Sequence, residues 1–408
     1  IQHRRLLTLS ERSEPKGCNP STPAALPPPL RVIRPRNIGR FGRLVLIDMI
    51  LLLALLVQAG PVERYLAEKD PAARAKILAE IKTPLAEVEA ELRKPPARPA
   101  APGGRVVKKK LKADHPLGGE FETDLWVPEG YDPAKSYRLI VSLHGSSGTG
   151  DAFLRNWMAE VKAAGDTFLL CPTAGRGGWG RSLLGHRYVL DSLSDVLENY
   201  AVDPDRVFLD GASMGGNGSF EFVCQYPDLF AGAAPRSGGP MFRTIPTGTG
   251  KNDKTVIAEG LGNLEATPIY WIVGDRDAKV PNDWVKIAKA QMEALKLDFV
   301  FREVPGGGHE WFPKENAAAL EWMASRRRDA AAPRVGIETQ ERRFNRTFWL
   351  EIAEFRGKEL LKRGFLDTEK KTIEDRMLFQ DEVRVRGELR RDANEIRITA
   401  TGAREIKV

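Results

Sequence analysis

The residues most able to do chemistry lie in "DGASMGG", Asp210 to Gly216. Within it, Gly211-Ala212-Ser213-Met214-Gly215 fits Gly-x-Ser-x-Gly, the sequence of a sharp strand-to-helix turn that holds a serine hydroxyl over the end of a sheet. A serine hydroxyl is a poor nucleophile until a neighbouring imidazole accepts its proton. The imidazole in turn needs a carboxylate to fix its tautomer and stabilise the imidazolium. A tetrahedral oxyanion formed by the attack needs preorganised N–H donors. A five-residue match is short, so its surroundings must supply those partners.

They do so in chain order. There are five histidines, His3, His115, His144, His186 and His309, and only His309 follows both Ser213 and a suitable acid. His309 sits in "VPGGGHEW", where three glycines let the backbone turn, and it is the expected base. Two acids, Asp275 and Asp277, follow the apolar run "PIYWIVG". Asp275 touches the end of that run and suits capping the turn, whereas Asp277 leaves two more residues for the chain to swing toward His309. Asp277 is the favoured acid. The first oxyanion donor is expected to be the N–H of Met214, directly after the nucleophile. The second should come from Ser146 in "LHGSSGTG", with Ser147 as its alternative. His144 is expected to shape that loop at the substrate side. Trp179, in the glycine-rich loop 174–188, offers a flat face for an aromatic or sugar substrate, or else packs on the body. Trp311 either lines the same site or braces the His309 loop.

These residues require a particular scaffold. "RLIVSLHG" is a continuous apolar run, as a strand buried on both faces must be. From Arg105 to Arg328 such runs alternate with helical patterns, "DAFLRNWMAEVKAAG", "YVLDSLSDVLENY" and "DWVKIAKAQMEALK" among them. Alternation of this kind predicts a mostly parallel sheet with helices on both faces, an α/β fold. The stretch Met241 to Thr267 reads as a flap or a surface insertion. Residues 61–93 carry helix formers with Pro71 and Pro84 at helix starts. Residues 94–104, "KPPARPAAPGG", form a linker, and 329–336 a second one. Residues 337–408 switch to short strands and predict a small all-β appendage.

The order Ser…Asp…His is that of the α/β-hydrolase fold. Taken together, "LHGSSG", "DPDRVFLDGASMGG", "YPDLFAGAAPRSGG", "GDRDAKVP" and "GGGHEW" resemble the esterase branch of that fold, which includes feruloyl esterases, esterase D, polyhydroxybutyrate depolymerases and predicted peptidases. The resemblance spans about Arg105 to Arg328. It implies that the acid stands two residues before Val-Pro, which matches Asp277. It implies a serine carboxylesterase acting through an acyl-enzyme, with feruloyl-type or polyester-type substrates and no cofactor. A serine peptidase shares every residue named, but the large propeller domain of prolyl oligopeptidases has no counterpart in the catalytic region. The remaining alternative is a non-catalytic polymer-binding protein, against which an intact Ser, His and Asp set argues.

Composition narrows the classes further. The chain has 408 residues, 42% of them hydrophobic and 29% charged, and a formal net charge of +7. Nine basic against three acidic residues fall in the first sixty, so the body is nearly neutral and nucleic acid is not an expected partner. No His/Asp cluster has metal-ligand spacing. Residues 1–43, rich in Pro and Arg, read as a disordered leader or an upstream reading frame. "LVLIDMILLLALLVQAG", Leu44 to Gly60, is short for a membrane span, and 44–59 reads as a signal-peptide apolar region with cleavage after Ala59. That predicts a secreted or periplasmic protein without a stable membrane anchor. Cys171 and Cys224 lie in apolar surroundings and read as two buried free thiols; Cys18 belongs to the leader.

Overall fold

The computed structural model describes residues 6–8 and 60–408, apart from 69, 83, 85–86, 89–97, 116–117, 175–177, 181–182, 247–253 and 368–371. The signal segment 44–59 therefore lies outside the described residues, as does the leader 1–43 apart from Leu6–Thr8. In chain order the strands are β1 (Leu6–Thr8), β2 (Arg105–Lys112), β3 (Glu120–Val127), β4 (Tyr137–Leu143), β5 (Thr167–Pro172), β6 (Val202–Ala212), β7 (Gly232–Arg236), β8 (Phe242–Pro246), β9 (Lys254–Ala258), β10 (Ile269–Gly274) and β11 (Phe299–Val304). The helices are α1 (Pro61–Ala67), α2 (Pro71–Glu80), α3 (Gly150–Leu154), α4 (Met158–Ala164), α5 (Leu183–Asn199), α6 (Met214–Gln225), α7 (Asn282–Ala294) and α8 (Asn316–Ala324).

Helices α1 and α2 belong to a unit spanning residues 10–96, separate from the unit that holds residues 97–408. Asp70 starts α2 by accepting the Ala73 N–H at 2.7 Å, with Pro71 at the first helical position, where its missing N–H costs nothing.

The catalytic-region sheet has eight strands in the order β11-β10-β7-β6-β4-β5-β3-β2. From β5 through β11 all neighbours run parallel, while β3 is antiparallel to β5 and β2 to β3. This is the strand order and direction of an α/β-hydrolase. Both faces are dry, as the apolar runs demanded. Leu139, Val141 and Leu143 of β4 point to the face covered by Val189 and Leu193 of α5 and Phe220 of α6. Ile140 of β4 and Phe208 of β6 point the other way, to Val161 of α4 and Ala319 and Met323 of α8. The period-two alternation of each strand thus splits one apolar run into two cores.

The stretch read as a flap forms an antiparallel hairpin, β8 with β9, followed by a 3-10 turn at Leu261–Ala266. The Ala258 N–H of β9 donates to the Gln291 side chain of α7 at 2.7 Å, which docks the hairpin base on the body.

Beyond α8 come β12 (Arg334–Thr339), β13 (Arg346–Thr347), β14 (Leu350–Phe355), β15 (Glu359–Asp367), β16 (Thr372–Phe379), β17 (Val383–Arg390), β18 (Glu395–Thr401) and β19 (Ala403–Lys407). They form sheets β12-β17-β18, β1-β19-β14-β13 and β15-β16. Val335, Ile337, Leu350, Ile352, Val385 and Ile406 make a core of their own. The run "RTFWLEIAEF" is split into β13 and β14 at Phe348, whose φ is 43°, and "MLFQDEVRVRGEL" turns at Gln380–Glu382 between β16 and β17. Asn263 joins this part to the body, donating from Nδ2 to the carbonyls of Cys224 and Glu338.

Candidate active site

Ser213 stands between the last residue of β6 and the first of α6, with φ 58° and ψ −117°. That backbone is disfavoured for any residue with a Cβ, so the surroundings must impose it. Ser213 N–H donates to the Arg236 carbonyl at 3.0 Å, and its own carbonyl accepts the Asn217 N–H at 2.9 Å. The turn also needs close packing. A Cβ on Gly215 would run into the Leu143 carbonyl, and one on Gly216 into that of Arg236. The glycines of the motif let α6 start directly against β4 and β7.

The loops after β10 and β11 bring the other two residues to Ser213. His309 Nε2 lies 2.7 Å from Ser213 Oγ, and His309 Nδ1 lies 2.8 Å from Asp277 Oδ2 and 3.1 Å from Oδ1. Asp277 Oδ1 also accepts the N–H groups of Lys279 and Val280, at 2.8 and 3.0 Å. With Asp277 ionised, Nδ1 carries the imidazole proton and Nε2 presents a lone pair to the serine hydroxyl. The Asp277 side chain is 2% exposed and the His309 ring 16%, so the acid is shielded while an edge of the base stays open. Asp275 is exposed and joins the loop through its backbone, accepting from Asn282 Nδ2 at 3.0 Å. The two loops are stitched together by Arg276 N–H to the Gly307 carbonyl, 2.9 Å.

Met214 opens α6, so its N–H is one of the helix donors with no intrahelical acceptor, at the positive end of the helix dipole. The loop after β4 lies beside it: a Cβ on Gly145 would sit 3.3 Å from the Ala212 carbonyl and 3.6 Å from Ser213 Cβ. Ser146 and Ser147 follow, both exposed, with Ser147 at φ 62°.

His144 and Trp179 are buried to 1% exposure each and offer a substrate no face, so Trp179 packs on the body and His144 acts on its loop alone. His144 Nδ1 donates to the Gly145 carbonyl at 2.7 Å, and Nε2 accepts the Ala174 N–H at 3.0 Å. Burial holds its pKa below the ordinary histidine value, which keeps it neutral as that pairing needs. Trp179 Nε1 donates to the His144 carbonyl at 2.9 Å, and its ring meets the imidazole edge-on at 4.8 Å. A Cβ on Gly218 would strike the Trp179 side chain, so α6 closes over it as well. Both residues therefore stiffen the loop carrying Ser146. Of the glycines beside Trp179, Gly178 takes a left-handed φ of 81° with open space at its Cβ position, and a Cβ on Gly180 would strike the Glu221 side chain. Trp311 is half-buried and packs edge-on against Phe153 at 4.9 Å, as a brace of the His309 loop.

The sequence reading assigned no role to Arg236, Asp210, Trp157 or Ser237. Each touches the Ser213 turn or the His309 loop. Cys171 and Cys224 are free and buried, and burial raises both thiol pKa values, so neither is a nucleophile. Among the described residues no group of three or more His, Cys, Asp or Glu side chains is placed to hold a metal ion, and no helix is long and apolar enough to cross a membrane.

Residues 172–324 match the family model described as putative esterase, a span that contains Ser213, Asp277 and His309 but neither the Ser146 loop nor the β-rich appendage. The chain is 28% identical over 120 residues to a probable feruloyl esterase C of Aspergillus terreus, covering 28% of this chain and 44% of that protein. It is 28% identical over 139 residues to a poly(3-hydroxyalkanoate) depolymerase C of Paucimonas lemoignei, covering 30% of this chain and 32% of that one. The chain thus spans less than half the length of these curated relatives. A solved structure of a thermostable esterase aligns over 54% of this chain and 63% of its own, with 22% identity and a TM-score of 0.45.

Proposed function

We propose that the chain is a serine carboxylesterase working through an acyl-enzyme, with Ser213 as nucleophile, His309 as general base and acid, and Asp277 as the group that orients and stabilises the imidazole. The observation that carries this reading is the continuous hydrogen-bond chain from Ser213 Oγ through both ring nitrogens of His309 to Asp277. As Oγ attacks the ester carbonyl, its proton passes to Nε2. The carbonyl oxygen becomes an oxyanion, held by the Met214 N–H and the N–H of Ser146. Collapse expels the alkoxide, which takes the proton back from Nε2, and leaves the acyl group on Oγ. Water repeats the sequence: it gives its proton to Nε2, attacks the acyl carbon and releases the acid with Ser213 restored.

The names of the relatives support two substrate arms, feruloyl-type aryl esters and polymeric hydroxyalkanoate esters. The basic, then apolar, N-terminal stretch supports export to the periplasm or the medium, where such substrates occur. The test is hydrolysis of p-nitrophenyl acetate, butyrate and decanoate, methyl ferulate and a chromogenic peptide, by wild type and Ser213→Ala. The reading expects ester turnover that falls about 10⁶-fold in the variant. Cleavage of the peptide alone would replace it with a peptidase, and no Ser213-dependent turnover of any substrate would remove it.

A further inference from the structure

Beneath Ser213, and outside the chain of three, lies an ion pair with no solvent contact. Arg236 Nε donates to Asp210 Oδ1 at 3.0 Å, and both side chains are 0% exposed. Asp210 sits on β6, three residues before the nucleophile. Its other oxygen accepts Trp157 Nε1 at 2.8 Å and the Ser142 hydroxyl at 3.1 Å. The carboxylate is thereby fixed from three directions. Arg236 ends β7, and its Nη1 donates to the carbonyls of both Trp311 and Phe312 at 3.2 Å. Nη2 has no hydrogen-bond partner among the described residues. The guanidinium instead lies 4.9 Å from the Trp157 ring centre and 4.2 Å from that of Trp311, where the ring faces take up the cation.

The next residue grips the same loop. Ser237 Oγ donates to the Glu310 carbonyl at 2.8 Å and accepts the Glu310 N–H at 3.2 Å. Arg236 and Ser237 together hold three consecutive residues, Glu310, Trp311 and Phe312, directly after His309. Phe312 is at φ 58°, a conformation a phenylalanine does not choose unaided. The Arg236 backbone carbonyl also accepts the strained Ser213 N–H. One residue therefore reaches the nucleophile through its backbone and the loop of the base through its side chain.

We infer that Asp210, Arg236 and Ser237 form a clamp that sets the approach of His309 to Ser213, so that Arg236 and Ser237 are positioning residues for the reaction. A buried ion pair is weak evidence of stabilisation, since its desolvation offsets much of its attraction. Its use here is geometric: a planar, forked donor reaches Asp210 on one side and two adjacent carbonyls on the other, which a lysine ammonium does not reproduce. The inference rests on the esterase reading for the identity of the reacting pair.

The test is Arg236→Lys and Ser237→Ala, with kcat and KM for p-nitrophenyl butyrate expressed per Ser213 labelled to completion by a fluorophosphonate. The clamp predicts kcat lower by about 10- to 100-fold in Arg236→Lys and about 3- to 10-fold in Ser237→Ala, with KM within about 2-fold. It also predicts that the downfield proton resonance of His309 Nδ1, shared with Asp277, shifts or broadens in both variants. Wild-type kcat per labelled serine and an unmoved resonance, whatever happens to the melting temperature, would overturn it. If Arg236→Lys does not fold, Ser237→Ala decides alone. The resonance requires no turnover, so loss of the clamp and failure of the esterase reading give different results.

Discussion

Two clusters of arginine with carboxylate behave as different materials. The first is Asp210 with Arg236, sealed under the elbow. The second is Arg334, Glu265, Arg386 and Glu338, where β12 and β17 meet the 3-10 turn after the hairpin. There Arg334 Nε pairs with Glu265 Oε2 at 3.0 Å and Arg386 with Glu265 and Glu338, but the arginines remain 45% and 35% exposed. The Glu265 and Glu338 side chains are only 5% and 14% exposed, but water can reach the guanidinium of each arginine, which weakens the hold of the pairing on geometry. In the first, each hydrogen bond has one destination, and two of those destinations, the Trp311 and Phe312 carbonyls, lie in the His309 loop. Burial converts a charge pair into a position.

The first way to sharpen this contrast is at the acids beside His309. Asp277→Asn should lower ester kcat by about 10⁴-fold, because the amide would leave the imidazole in the wrong tautomer. Asp275→Asn, at an exposed carboxylate, should leave kcat within about 2-fold. Equal losses in the two variants would remove the assignment; steady-state kinetics on p-nitrophenyl butyrate decide.

Next in size is stability. Asp210→Ala strands a buried guanidinium and should cost about 3–5 kcal/mol in urea unfolding. Arg334→Ala, in the open cluster, should cost less than about 1 kcal/mol. Comparable midpoints for the two variants would erase the distinction between the clusters.

The smallest effect concerns pH. Burial lowers the folded-state pKa of His144 below its unfolded value of about 6.5, so the unfolded chain binds the proton first. The sign follows: the His144 contribution is intact above pH 6.5 and is lost as pH falls below it, by at most about 1.4 kcal/mol per pH unit. His144→Gln should flatten the stability curve between pH 6.5 and 5, measured by urea unfolding at each pH. A curve as steep as that of wild type would place the proton elsewhere.

The sequence reading reached furthest where chemistry and chain order coincide. Ser213, Asp277 and His309 carry reactive side chains, and strand ends on one sheet edge bring them together, so motif and order sufficed to bring them to notice. The alternation of apolar runs with helical patterns likewise announced a mostly parallel sheet, which the fold builds from eight strands. Trp179 stayed open between a substrate platform and packing on the body because a tryptophan among glycines reads the same either way; Gly218, 39 residues on, lets α6 close over it and bury it. Arg236 was silent for a related reason. An arginine in a short strand among small residues has no pattern that separates it from Arg334, and only the partners that β6, α3–α4 and the His309 loop bring to it make it a clamp. Pairing between distant segments is the information that periodicity lacks.

The central claim is that one serine, activated by His309, does all the ester chemistry. Its most direct test is titration of the intact protein with a fluorophosphonate, followed by peptide mass mapping and residual p-nitrophenyl butyrate hydrolysis. The account predicts one adduct per chain, on Ser213, with activity falling linearly to zero at one equivalent. Activity that survives complete labelling of Ser213, or an adduct on another residue that tracks the loss, would contradict it.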